Sequence, residues 1–68
     1  MPIVNASTGG YPAALSLSES DYSKLLGLDD GGVTYLEDTS YLRASRSGDL
    51  VVIYESNGRT YDVLVGNL

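Results

Sequence analysis

The chain has 68 residues, with nine Asp and Glu against four Lys and Arg, a formal net charge of −5, and no Cys, His, Trp or Phe. The lack of Cys and His excludes zinc sites and Ser-His or Cys-His catalytic pairs of the usual kinds, and so few basic residues argue against binding nucleic acid through its phosphates. A chain of this length forms one domain at most and buries only about 60% of its unfolded surface, so its stability depends on a well-packed fold or on a partner.

The first fifteen residues are predicted to form an extended arm. They carry no charge, and two prolines and a Gly-Gly pair break any helical or strand period. A frayed terminus is the alternative, but four apolar side chains would be unusual in a solvated tail. We therefore expect residues 1–15 to be mobile in the free protein and to order along a neighbour, while residues 16–68 form a single small domain. The apolar side chains of the arm are Ile3, Val4, Tyr11 and Leu15.

A short helix is predicted from about residue 19 to residue 26. Ser18 is a favourable N-cap, and Asp21 stands three residues later, where its side chain can close a capping box. Gly27 suits the left-handed position that often ends a helix. Two helical turns cannot stand alone in water, so the helix must pack on a core. The apolar stripe expected to do so consists of Tyr22, Leu25 and Leu26.

The Asp-Asp-Gly-Gly sequence at residues 29–32 is typical of a solvated turn. An EF-hand calcium loop starting at either aspartate would need Glu at its twelfth position, where Ser40 or Tyr41 stands. The glycine pair also lacks the lysine and the following helix of a phosphate-binding loop. No metal and no cofactor is therefore predicted.

Three segments favour β-structure. Residues 33–36 are β-branched and aromatic, residues 41–44 form a weaker run, and residues 50–65 read as a hairpin. With the helix, these segments predict an α+β fold: an extended N-terminal arm, one short helix, and a small twisted antiparallel sheet or SH3-like partial barrel of three to four strands.

The hairpin over residues 50–65 is the strongest tertiary signal. Asn57-Gly58 between two apolar runs predicts a type I′ turn with a two-residue loop, which sets Tyr54 opposite Tyr61. One face then carries these tyrosines and is core or interface. The other face is too apolar to lie wholly in water, so either the sheet curls into a barrel or another chain covers it. Its apolar side chains are Val51, Ile53 and Leu64.

An enzymatic function is not expected. Nothing around Lys24 suggests the desolvation that would lower its pKa, and the serines of residues 16–23 have no base nearby in sequence. A chain of this size also has little room for a substrate pocket of roughly 300 Å³ or more. The remaining classes bind other proteins.

An arm over Met1–Leu15 followed by a β-rich part over Val33–Val65 resembles small virion proteins of tailed bacteriophages, such as capsid cement and decoration proteins. The resemblance is architectural and implies a non-enzymatic structural protein in many copies that binds a coat protein or a similar larger subunit; further copies of the chain are a second possible partner. The arm and the hairpin supply the predicted partner-binding residues, which are Ile3, Val4, Tyr11, Leu15, Val51, Ile53, Tyr54, Tyr61 and Leu64.

Two alternatives stay open. One is a small acidic inhibitor, such as an anti-defence protein, whose carboxylates imitate phosphates in a basic groove; the other is an SH3-like adaptor, which rests on fold analogy. The salt dependence of binding distinguishes the acidic inhibitor from a protein that binds through its tyrosines. Ionic screening steeply weakens the binding of an electrostatic mimic to its partner. The carboxylates concerned are Glu19, Asp21, Asp29, Asp30, Glu37 and Asp38.

The first residues predict no secretory signal, because they lack a basic region and a following apolar core. Nor does any run of about 20 apolar residues predict a membrane span. We expect the protein in the virion if the phage resemblance holds and in the cytoplasm otherwise, with no direct nucleic-acid or membrane partner.

Overall fold

The computed structural model describes residues 1–37 and 40–68, and within them one α-helix packs on a six-stranded antiparallel open sheet. In space the strands lie in the order β2-β1-β6-β5-β4-β3, so β2 and β3 are the sheet edges. No helix in these residues is long and apolar enough to cross a membrane. The elements are β1 (Ile3–Thr8), β2 (Tyr11–Ser16), α1 (Glu19–Leu26), β3 (Val33–Tyr35), β4 (Tyr41–Ser47), β5 (Leu50–Glu55), β6 (Thr60–Leu64) and a 3₁₀ turn (Val65–Asn67).

A small α+β fold is thus present, but the prediction of three to four strands was too low. The two additional strands come from residues 1–15, which were predicted to be an extended arm. They form the β1–β2 hairpin, in which Val4 pairs with Leu15. These two side chains are 1% and 2% exposed and belong to the core. The segment is therefore part of the sheet, and the arm prediction is corrected.

The turn of this first hairpin explains the error. Gly9 and Gly10 have φ angles of 57° and 85°, and two consecutive positive φ values are what a type I′ turn requires. The Gly-Gly pair was interpreted as an interruption of structure, yet it is also one of the dipeptides that favour this turn. The type I′ hairpin of the chain therefore lies here and not at residues 57–58.

The hairpin predicted over residues 50–65 exists as β5 and β6, but its register differs from the predicted one by one residue. Ile53, not Tyr54, lies opposite Tyr61. Gly58 has a φ of 90° whereas Asn57 has no positive φ, which excludes type I′. The N–H of Gly58 donates to the carbonyl of Glu55 (3.0 Å), so the loop holds three residues rather than two. The Oδ1 of Asn57 accepts from the N–H of Arg59 (2.8 Å) and stabilises this turn.

A shift of one residue moves the side chains of one strand to the other face relative to its partner strand. In the observed register the core-facing side chains of β5 and β6 are Val51, Ile53, Tyr61 and Val63, each no more than 8% exposed. The predicted register would have divided these four side chains between the two faces. The observed loop thus places the most completely buried side chains of both strands together.

The loop glycine is expected to matter for stability. Replacing Gly58 by Ala should destabilise the protein by about 1–2 kcal/mol, because an L-residue is disfavoured at positive φ. Gly66→Ala is the matched control, since Gly66 has no positive φ and nothing within 4 Å of an added Cβ. Urea unfolding measures both free energies. Equal stability of the two variants would contradict the loop conformation described above.

The helix covers the face of the sheet that carries the core. Its bounds agree with the prediction, and the Oγ of Ser18 accepts from the N–H of Asp21 (3.1 Å) as an N-cap does. Leu25 is buried, but Leu26 is 55% exposed, and Gly27 has a φ of −88° rather than a left-handed one; both of these predictions were wrong. The core consists of Val4, Leu15, Leu17, Leu25, Leu28, Leu36, Ala44, Val51, Ile53, Tyr61 and Val63.

Candidate protein-binding surface

The sheet face opposite α1 is called the outer face here. Successive side chains of a strand point to opposite faces, so the residues between the core positions lie on it. Within the described residues the helix lies on the core face, and several apolar side chains of the outer face remain in solvent: Ile3 is 70% exposed, Tyr35 71%, and Val33 and Leu64 56% each. The principal outer-face side chains are Ile3, Val33, Tyr35, Arg43, Leu50, Val52, Tyr54, Asp62 and Leu64.

Strand pairing aligns these side chains in rows across the sheet. One row contains two tyrosines flanking an arginine: Tyr35 pairs with Arg43, which pairs with Tyr54. The guanidinium carbon of Arg43 lies 4.5 Å from the centre of the Tyr54 ring, which is cation–π geometry. The arginine is therefore held flat against the sheet while its outward side stays exposed.

The next two rows combine aliphatic and polar side chains, with Ser45 beside Val52 and Ser47 beside Leu50. Val52 of β5 pairs with Asp62 of β6, and Leu50 pairs with Leu64 one step further along. Val52 and Leu50 are half-buried, while Leu64 is exposed. Asp62 and Arg43 contribute one negative and one positive charge to the outer face, so this face is close to neutral in a chain with a net charge of −5.

A shallow open groove of about 200 Å³ lies where β1 meets β6. The two strands pair there through Ser7 and Asp62. The groove is smaller than the roughly 300–1,000 Å³ of small-molecule sites, and its amide, hydroxyl and carboxylate groups suit hydrogen bonding to a side chain of a partner. It is lined by Asn5, Ala6, Ser7, Asp62, Leu64 and Asn67.

At the β3 edge of the sheet, side chains of the helix bond to the strand and to the residues that follow it. The Nζ of Lys24 donates to the carbonyl of Tyr35 (3.2 Å) and forms an ion pair with Glu37 (3.4 Å). The N–H of Glu37 donates to Oδ1 of Asp21 (3.0 Å), whose side chain is fully buried. These bonds engage the last carbonyl of β3 and the N–H of Glu37, so part of this short edge is already bonded within the chain.

Two of the acidic side chains that a phosphate mimic would use are engaged within the chain. Asp21 is buried, and Oδ1 of Asp30 accepts from the N–H of Gly48 (2.7 Å). Asp38 lies outside the described residues. The turn at residues 29–32 is exposed as predicted, apart from half-buried Gly32. It also bonds to the end of β4, and Arg46 reinforces it by donating to the carbonyl of Leu28 (2.8 Å).

The nine predicted partner-binding residues divide into two sets. Ile3, Tyr54 and Leu64 lie on the outer face, and Tyr11, 74% exposed, lies at the end of the first hairpin. The other five fill the core of the chain itself, which corrects their expected position on a surface; Tyr61, for example, contacts Tyr41 edge-to-face at 6.1 Å. These five are Val4, Leu15, Val51, Ile53 and Tyr61.

Six of the nine outer-face residues were not among the predicted partner-binding residues. The signal was present, because β3, β4 and β5 alternate between the two faces, but it can be used only once the register is known. Counting from the Asn57-Gly58 loop with one residue too few placed the outer-face side chains of β5 beside the core side chains of β6 and hid the surface. The missed residues are Val33, Tyr35, Arg43, Leu50, Val52 and Asp62.

Comparison with other proteins assigns the chain to no group. No family model, no curated protein and no solved structure matches it. Its function must therefore be argued from its own surfaces.

Proposed function

We propose that this protein is a non-enzymatic accessory protein that binds a larger protein subunit of an assembly through its outer face. The observation that carries this proposal is the one-sided sheet. Its core face is covered by α1, whereas its outer face exposes valine, leucine, isoleucine and tyrosine side chains. Exposed apolar side chains gathered on one face favour an interaction site, because water is an unfavourable neighbour for them.

The composition of the outer face favours a protein partner. Tyrosine and arginine are enriched among the residues that dominate protein–protein binding energy, and here Tyr35, Arg43 and Tyr54 stand side by side. The stacking of Arg43 on Tyr54 restricts both side chains before binding, which lowers the entropy lost in the complex. A nearly neutral face in an acidic chain also permits contact with a partner of either charge.

A capsid cement or decoration protein of a tailed phage is the specific form of this proposal, with the virion as its location. The small β-rich body and the outer face support it. The N-terminal segment lends no support, since residues 1–15 belong to the sheet. The acidic-inhibitor alternative is weaker, because Asp21 is buried and Asp30 and Glu37 are engaged within the chain.

Two equally exposed leucines provide the test. Leu64 on the outer face is 56% exposed and Leu26 on the helix 55%, so Leu64→Ser and Leu26→Ser remove similar surface at different places. Each variant is immobilised and presented with the larger subunits that co-purify with the protein from its source. We expect Leu64→Ser, alone and with Tyr35→Ala, to lose most of the bound subunit, and Leu26→Ser to retain it.

Salt provides the second arm of this experiment. Retention by the wild-type chain should persist from about 0.1 M to 1 M NaCl, although the Debye length falls from about 10 to 3 Å. If all variants hold the subunit equally, the outer face is not the binding surface. If the wild-type chain releases it at the higher salt concentration, binding is electrostatic and the acidic-inhibitor alternative replaces the proposal.

A further inference from the structure

The second edge of the sheet, strand β2, is open. Four of its six residues are exposed, and within residues 1–37 and 40–68 β2 has a hydrogen-bonded neighbour, β1, on one side only. By contrast, β3 has three residues, and Lys24 bonds to its last carbonyl. An open edge presents unpaired N–H and C=O groups that can pair with another strand.

The register of the first hairpin identifies these groups. The N–H of Leu17 donates to the carbonyl of Pro2 (3.0 Å), so the odd-numbered residues of this segment bond to β1. In an antiparallel pair such positions alternate with ones whose polar groups point away from the partner strand. Pro12, Ala14 and Ser16 therefore direct their backbone outward, and Pro12 supplies only a carbonyl.

Charge does not protect this edge. Natural sheets commonly block an open edge with lysine or another charged side chain. Residues 1–18 carry no charge, although the whole chain has a net charge of −5. Two copies that approach through their first hairpins thus keep their carboxylates away from the contact, and Pro12 is the one edge-blocking feature that β2 contains.

We propose that two copies of the chain pair through their β2 edges, antiparallel, about a two-fold axis at Ala14. The N–H of each Ala14 donates to the Ala14 carbonyl of the other copy. The N–H of each Ser16 donates to the Pro12 carbonyl of the other copy. Four hydrogen bonds form between the two copies. Pro12 has no N–H to donate, and it lies at the outer end of the contact.

Side-chain sizes agree with this register. The two Ala14 side chains meet on the axis, where methyl groups leave the strands free to approach. A register centred on Leu15 would pair only residues 14–16 of β2, whereas the register centred on Ala14 pairs residues 12–16.

The pairing has a consequence that rests on the proposed function. Residues directly opposite one another in a sheet point to the same side, so the two outer faces would lie side by side on one continuous sheet. The dimer would then be bivalent toward an assembly that repeats its subunits, and linkage of two sites strengthens binding without any new contact. The dimer itself does not depend on that function.

Cysteine cross-linking tests the register, because the chain has no cysteine of its own. Paired Cα atoms at a hydrogen-bonded position lie about 5.5 Å apart, within the roughly 4.4–6.8 Å that a disulfide spans. Ala14→Cys should therefore form a disulfide dimer under mild oxidation. Ser16→Cys is the matched control, because its two copies would be offset by four residues, about 13 Å. Equal cross-linking of both variants, or of neither, would overturn the proposal.

Analytical ultracentrifugation tests the association itself. The wild-type chain should change from monomer to dimer as its concentration rises toward about 1 mM, the range of weak association. Ala14→Lys should stay monomeric because it sets two like charges on the axis, whereas Ser56→Lys in the β5–β6 loop should dimerise. A wild-type chain that is monomeric throughout would refute the pairing.

Pairing through β2 and binding of a larger subunit through the outer face can be tested independently. Leu64→Ser should still dimerise while losing the larger subunit. Ala14→Lys should still bind that subunit, with the lower apparent affinity of a single site. Circular dichroism of each variant verifies that the substitution has left the fold intact.

Discussion

A chain that begins at Leu15 is expected to be unfolded. The truncation removes β1 and most of β2, and with them Val4, which is 1% exposed in the core. Burial of one such aliphatic side chain contributes about 1.5–3 kcal/mol, and β6 also loses β1, one of its two hydrogen-bonded neighbours. The whole domain has only about 3–10 kcal/mol of stability at this length, so the remaining strands should not hold together.

Circular dichroism and amide chemical-shift dispersion measure this outcome. Removal of Met1 alone is the control, because that residue is 80% exposed and lies before β1; this shortened chain should melt as the full one does. A chain from Leu15 that still unfolds cooperatively would mean that the first hairpin is dispensable, as a binding arm would be.

The sequence predicted the helix well because its signals are local. Ser18 and the acidic first turn define where the helix begins, and no contact from elsewhere in the chain is needed to interpret them. Its buried face was harder to predict. In a two-turn helix Leu25 and Leu26 are almost equally good candidates for burial. The sheet beneath the helix determines that Leu25 is buried and Leu26 exposed.

The first hairpin was missed for a physical reason. Its core positions alternate as a strand requires, but Ala6 and Ala13 occupy two of them, and alanine is a weak indicator of a strand. Gly9 and Gly10 indicate either a break or a type I′ turn, and the difference lies in pairing across the turn. Pro12 also appeared to argue against a strand, although an edge position accepts it.

The binding surface depends on one loop. Had Asn57 adopted a positive φ, the predicted two-residue loop would hold and Val52 would face the core. The bond from the N–H of Arg59 to the Asn57 side chain instead accompanies a three-residue loop. Whether the two-residue or the three-residue loop forms depends on how much apolar surface each register buries, which is a property of the whole sheet.

Ile53→Ala should give the largest effect of any single substitution in β5. Ile53 is 0% exposed and lies between Ala44 of β4 and Tyr61 of β6. Truncation of a buried isoleucine to alanine removes its transfer free energy and leaves a cavity, a loss of about 2–5 kcal/mol. Since the domain has only about 3–10 kcal/mol to lose, we expect the variant to be largely unfolded at 37 °C.

Two neighbouring valines make this prediction specific to the register. Val51 is 0% exposed on the core face, and Val52 is half-buried on the outer face, so Val51→Ala and Val52→Ala delete the same atoms from opposite sides of one strand. We expect Val51→Ala to cost about 1.5–3 kcal/mol and Val52→Ala less than about 1 kcal/mol, measured by urea unfolding. In the register predicted for a two-residue loop, Val52 would lie in the core and Val51 on the exposed side. Val52→Ala would then lose more stability than Val51→Ala. A larger loss for Val52→Ala would therefore contradict both the register and the outer face derived from it.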